Sequence, residues 1–165
     1  MDNRVIAALQ CMIFLEEAVA EFYDKLASVL KRKNAAAALI FVARESRNHA
    51  QLLESLFGRP SNVQCTSELG TAGASMMNKL RELAAKLDGG WVPSDEQAAD
   101  LLEELNDLER FAGEEVYTQV AAAALSAHLT HLEKTLLSTI AEEERKHYEI
   151  IRRVIGELRA AGEEA

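Results

Sequence analysis

The chain has 165 residues, of which 48% are hydrophobic and only 5% aromatic, and its formal net charge is −9. This length suits one domain with a core, and abundant Ala, Leu and Glu with two prolines favour long helices over a sheet. The negative charge argues against nucleic-acid binding, because phosphate recognition needs a basic face. The two cysteines, Cys11 and Cys65, form no CxxC pair. We therefore expect no rubredoxin-type iron site, zinc ribbon or disulfide scaffold, and we expect Cys11 to be a small core residue.

No apolar run is long enough to span a bilayer. The apolar stretch from Val5 to Leu15 is a poor signal peptide, because Asp2 offsets Arg4 and the helical pattern continues unbroken to Tyr23. We therefore expect a cytoplasmic protein with no membrane partner.

The first half of the chain predicts two long helices. One runs from about Arg4 to Lys31, with apolar residues at helical spacing, and the cations of Lys31 to Asn34 are expected on its last turn. The second runs from about Ala35 to Phe57, where Gly58-Arg59-Pro60 stops it.

The second half begins with a shorter amphipathic helix from about Ser67 to Leu87, which Gly89-Gly90 ends. Ser94 and Gln97 then form a predicted capping box for a long helix from about Asp95 to Leu125. A last helix is expected from about Thr130 to Arg159, followed by a fraying tail.

These elements predict an all-α fold. Two helical hairpins, about 4–57 and about 95–159, are joined by a long crossover of about 58–94 that contains the extra helix. Up-and-down bundles need only short loops, so this connection indicates a four-helix bundle of ferritin-like connectivity. We expect residues 1–165 to form a single domain.

The two halves are a weak internal repeat. At a constant offset of 98, five positions of the second helix match five positions of the last helix: Val42, Ser46, His49, Leu53 and Leu56 match Ile140, Glu144, His147, Ile151 and Val154. Repeats are common in helical proteins, so this symmetry alone indicates no function.

The pair Glu144 and His147 carries the chemistry in AEEERKHYEII, residues 141–151. Side chains three apart on a helix point the same way, and this pair lies on the apolar stripe that should face the core. The neighbouring Glu142 and Glu143 are expected to stay in solvent. A buried carboxylate is costly without a partner, and a divalent metal would satisfy both it and the imidazole.

With LEEAVAEFY in the first helix and AEEERKHYEII in the last, the chain resembles the rubrerythrin-like branch of the ferritin-like di-iron carboxylate family. The resemblance covers nearly the whole chain but no rubredoxin domain. It implies a dinuclear centre of two Fe ions, with Mn or Zn as alternatives. It implies an oxidoreductase acting on peroxide, oxygen or ferrous iron, with electrons from an external donor protein. The family and the crossover helix suggest a homodimer, while a monomer also fits the composition.

The resemblance also implies the ligands, residue by residue. Glu16, seven before Tyr23, and the pair Glu144 and His147 match the family pattern, and so does His49. Two positions depart from it. Ser46 stands where a carboxylate is expected, and Glu45 is its neighbour. Arg110 also stands where a carboxylate is expected, and Glu109 is its neighbour. The implied metal set is then Glu16, Glu45, His49, Glu109, Glu144 and His147.

Alternatives remain open at each of these sites. Ser46 and Arg110 could instead mark a degraded centre, in which Arg110 enters the core as a counter-ion and the bundle is a non-catalytic interaction protein. A third possibility is one zinc or manganese ion held by the intact ligands. Tyr23 and Tyr117 are expected either beside the metal or as ordinary core residues. His128 and His131 are expected in a solvated turn rather than a zinc site.

Overall fold

The structure is a computed structural model that describes the backbone of residues 3–61, 65–125 and 129–163; of these, the side chains of 3, 66–67, 111–125 and 161–163 are not described. Every regular element in these ranges is a helix, which confirms the all-α prediction. The helices are α1 (Asn3–Val29), α2 (Lys33–Phe57), α3 (Cys65–Glu68), α4 (Gly70–Asp88), α5 (Asp95–Leu125) and α6 (His131–Glu163).

Local signals set most helix ends. Gly58 ends α2 with φ at 75°, a left-handed conformation that glycine adopts without strain. At the start of α5, the Gln97 amide donates to Ser94 Oγ at 3.1 Å, and the Ser94 amide donates to Gln97 Oε1 at 3.0 Å, which confirms the capping box. A second box, which we did not predict, joins Thr130 and Glu133 at the start of α6.

Two expected helix ends are wrong. Helix α1 stops at Val29, so the cations from Lys31 onward lie beyond its last turn, and Lys33 instead begins α2. The crossover helix α4 begins at Gly70 rather than near Ser67, because the helix is interrupted between α3 and α4, where Gly70 adopts a positive φ of 72°.

Each long-helix pair runs antiparallel. In the first hairpin, the Gln10 side chain near the start of α1 donates to the carbonyl of Phe57 at the end of α2. In the second, Arg159 near the end of α6 is paired with Asp100 near the start of α5 at 3.0 Å. Helices α2 and α6 also contact each other, and α1 contacts α5, so the four long helices form a closed ring.

The crossover must run the length of this ring. Helix α2 ends at the opposite end from the start of α5, because α5 is antiparallel to α6 and α6 is antiparallel to α2. Helix α4 has 19 residues and spans about 28 Å at a rise of about 1.5 Å per residue. It packs against α1 and α5.

A disulfide between Cys11 and Cys65 joins α1 to the beginning of the crossover, with Cα atoms 5.3 Å apart. Cys11 is a fully buried core residue, as expected, but the expectation of no disulfide is wrong. Two cysteines 54 positions apart meet only because the crossover returns alongside α1. The far end of α4 is held by Asp88, which accepts from Lys25 of α1 at 2.6 Å. Disulfides persist mainly in oxidising compartments, so this one does not support the expected cytoplasmic location, which stays a prediction.

Buried apolar side chains from both hairpins and the crossover form one cluster, which includes Phe22, Leu39, Leu80, Leu105 and Ile151. Among the described helices, none is both long and apolar enough to cross a membrane. The polar exceptions inside this core are few, and most of them meet at one level of the ring.

Candidate metal centre

The centre lies where α2 and α6 face each other inside the ring. His49 of α2 and His147 of α6 are 3% and 1% exposed, and Glu144 lies one turn before His147. The apolar stripe predicted around this pair is buried as expected, with Ile140 and Ile151 on either side. The two imidazole rings are stacked, with centroids 5.5 Å apart.

Three potential ligand atoms converge here. Glu144 Oε1 lies 2.9 Å from His49 Nδ1 and 3.4 Å from His147 Nδ1. One ligand atom from each of these three residues can be chosen so that all lie within 4.8 Å of one another. Two imidazoles and a carboxylate form a ligand set that binds transition metals such as non-haem iron.

These contacts lack hydrogen-bond geometry. Among the described side chains, five buried polar atoms have no hydrogen-bond partner, and all belong to this region: Glu16 Oε2, Ser46 Oγ, His49 Nδ1, Glu144 Oε1 and His147 Nδ1. Such atoms are rare in folded proteins and are costly to bury. A cation site requires ligand atoms that lie close together without hydrogen-bonding one another.

The outer nitrogen of each histidine faces a carboxylate from the opposite helix. His49 Nε2 lies 2.6 Å from Glu143 Oε2, and His147 Nε2 contacts Glu45 Oε2. Since an ionised carboxylate only accepts, each Nε2 carries a proton, and Nδ1 is the ring nitrogen that points inward. The pairs cross between α2 and α6 because the helices are antiparallel.

This crossing changes two expectations. Glu143 was expected in solvent, yet it contacts a site histidine and is only 35% exposed. Glu45 was expected as a ligand in place of Ser46, yet its carboxylate lies at the outer nitrogen of His147, away from Nδ1. The repeat at offset 98 already related Glu45 to Glu143, and that relation was the signal we overlooked.

Two more carboxylates interact electrostatically with this cluster, one from α1 and one from α5. Glu16 is 3% exposed, and its Oε1 lies 3.6 Å from His49 Nδ1. Glu109 is partly buried and accepts a hydrogen bond of 3.2 Å from the hydroxyl of Tyr23, which is fully buried. Tyr23 and Glu109 thus form a hydrogen-bonded pair between α1 and α5, and their expected role at a metal stays a prediction.

The charges of these groups are strongly coupled. Burial and the neighbouring charge of Glu144 together raise the pKa of Glu16 to about 7, against the lowering effect of the two histidines. Burial, with the charges of Glu144 and Glu16, also raises the pKa of Glu109 well above its usual range. Burial would likewise raise the pKa of Glu144, but contacts with both imidazoles outweigh it and lower that pKa to about 2.

The histidines shift the opposite way. Burial disfavours their charged forms, but contacts with Glu144 and Glu16 outweigh it and raise the pKa of His49 to about 11. For His147, burial is likewise outweighed by contacts with Glu144 and Glu45, which raise its pKa to about 9. Protons on the imidazoles thus supply the positive charge that the carboxylates need, and a metal ion could supply it instead.

Other residues named from the sequence differ in their exposure. Arg110 is exposed, and its guanidinium lies over the ring of Tyr148 at 5.6 Å, which contradicts the alternative in which it enters the core as a counter-ion. Ser46 is fully buried. His131 is exposed and begins α6. His128 and the side chain of Tyr117 lie outside the described residues.

Comparisons with known proteins found no match: no family model, no curated protein and no solved structure is similar to this chain. The inward nitrogens, the shared carboxylate and the two flanking carboxylates fit the donor chemistry of iron, manganese or zinc.

Proposed function

We propose that the chain is a ferritin-like, non-haem metal protein of rubrerythrin type. The observation that carries this proposal is the convergence of three unpartnered buried atoms, His49 Nδ1, His147 Nδ1 and Glu144 Oε1, between two antiparallel helices. The internal repeat and the long crossover support the ferritin-like connectivity.

The ligands suit two ions. Glu16 and His49 would hold one, Glu109 and His147 would hold the other, and Glu144 would be shared because its Oε1 faces both Nδ1 atoms. Glu45 and Glu143 orient the imidazoles from outside and keep their protons on Nε2. Such outer partners raise the basicity of a ligating histidine.

The proposed activity is that of an oxidoreductase on peroxide, oxygen or ferrous iron. When bound, two iron ions would supply the two electrons that reduce peroxide to water. The chain's own residues hold the ions, exclude water through the surrounding apolar side chains, and place the Tyr23 hydroxyl against Glu109. No rubredoxin-type CxxC pair lies within these 165 residues, so electrons would come from outside them.

A second candidate is a protein that holds a single zinc or manganese ion without redox turnover. The three-residue set His49, Glu144 and His147 favours it, because it is sufficient for one ion. The loss of a carboxylate at Ser46 points the same way.

Metal stoichiometry tests both candidates. Metal-free protein is reloaded anaerobically with ferrous iron, and the ions per chain are measured by elemental analysis. About two per chain supports the dinuclear centre, about one supports a single-ion site, and none refutes the dinuclear iron centre. The same reload with zinc tests the second candidate, which no bound zinc would refute. His147→Ala should reduce the occupancy steeply, whereas His131→Ala, which changes an exposed histidine on the same helix, should leave it unchanged.

A further inference from the structure

The centre is symmetric in its histidines but not in its carboxylates. The crossed contacts of Glu45 with His147 and of Glu143 with His49 show that the repeat at offset 98 is a structural symmetry. By the same symmetry, Ser46 occupies the place on α2 that Glu144 occupies on α6. One shared carboxylate is therefore absent from the α2 side.

Ser46 is fully buried, and its hydroxyl has no hydrogen-bond partner among the described residues. It lies one turn before His49, on the same face of α2, so it belongs to the same level of the core. A buried hydroxyl without a partner loses the hydrogen bonds that water would have given it. A ligand that accepts a hydrogen bond from Ser46 Oγ would recover this loss.

Charge balance identifies the kind of ligand. The proposed direct ligands include three carboxylates, those of Glu16, Glu109 and Glu144, against the four positive charges of two divalent cations. The outer carboxylates of Glu143 and Glu45 are 35% and 30% exposed, so solvent screens their charges. An uncompensated buried charge is strongly unfavourable. One monoanion balances the charge of these buried ligands, and the heavy atoms by which a glutamate side chain exceeds a serine side chain are those of one carboxylate group.

We propose that the metal-loaded centre binds a small monocarboxylate anion beside Ser46, with the Ser46 hydroxyl donating a hydrogen bond to it. The anion takes the place of the missing shared carboxylate. This inference rests on the proposed metal centre and adds to it a site for an external ligand.

The test uses the full chain loaded with cobalt(II), whose visible absorption reports changes in its ligands without redox chemistry. Acetate is titrated at fixed pH and ionic strength, with chloride as the control anion, and cobalt affinity is measured by chelator competition. We expect a saturable change in the cobalt absorption with acetate and none with chloride. At acetate about nine times its Kd, the apparent cobalt affinity should rise about tenfold.

Two variants make the assignment specific. Ser46→Ala removes the donor and should weaken acetate binding about tenfold or more, while the cobalt stoichiometry stays unchanged. Ser46→Glu supplies the carboxylate within the chain and should abolish the acetate response. The matched control is Ser55→Ala, because the Ser55 hydroxyl is exposed on the same helix and donates to the carbonyl of Gln51 one turn before it.

The outcomes separate the two proposals. Bound cobalt whose absorption ignores acetate overturns the anion site and leaves the metal centre standing. An acetate response that is equal in the wild type and in Ser46→Ala overturns the role of Ser46. Failure to bind cobalt at all overturns the metal centre and the anion site together.

Discussion

The carboxylates behind the histidines offer the sharpest test of how the centre is built. Glu143 contacts His49 Nε2 at 2.6 Å across the α2–α6 interface, and Glu45 makes the equivalent contact with His147. Replacing either with glutamine keeps the side-chain shape but removes the charge that fixes the imidazole proton on Nε2. We expect each variant to lower metal affinity without removing a ligand.

The magnitude follows from exposure. Loss of such an outer partner typically costs about 10- to 100-fold in metal affinity. Glu143 and Glu45 are 35% and 30% exposed, so water can partly replace each carboxylate. We therefore expect the lower end, about tenfold for each, which corresponds to about 1.4 kcal/mol. The double variant should depart from additivity, because both histidines share Glu144.

The assay is chelator competition with zinc at fixed pH and ionic strength. Glu142→Gln is the matched control, since Glu142 is the exposed neighbour of Glu143 on the same turn. If Glu143→Gln and Glu45→Gln bind zinc as tightly as Glu142→Gln does, the carboxylates do not orient the histidines, and this reasoning is refuted.

Three further predictions concern pH, the disulfide and Arg110. Metal must displace a proton from each site histidine, and the pKa of His147 is raised to about 9. Zinc affinity in competition assays should therefore rise with pH up to about 9, by about tenfold per pH unit for each proton displaced. A flat profile from about pH 6 to 9 would contradict this. Replacing Cys11 and Cys65 together with serine should lower the free energy of unfolding by up to about 4 kcal/mol, from the closure entropy of the 54-residue loop, which denaturant titration can measure against the oxidised wild type. Arg110→Glu should leave metal occupancy unchanged by elemental analysis, because Arg110 is exposed beside Tyr148; a clear gain would mean that position 110 faces the centre.

Local patterns in the sequence determined the helices. The Ser94–Gln97 box and the bounds of α5 could be predicted because capping residues act within one turn of the helix they begin. The pair Glu144 and His147 and the single His49 could be assigned to the core because helical periodicity places them on apolar stripes. These inferences need only the geometry of one helix.

The tertiary structure decided which groups meet across helices. Glu45 and His49 share a face of α2, but only the antiparallel packing on α6 shows that Glu45 faces His147 instead of the inward nitrogens. Glu109 and Arg110 are neighbours about 100° apart, so the rotation of α5 determines which one lies near the core. The disulfide between Cys11 and Cys65 likewise depends on the path of the crossover, because residues far apart in the chain are brought together by packing and not by any local preference.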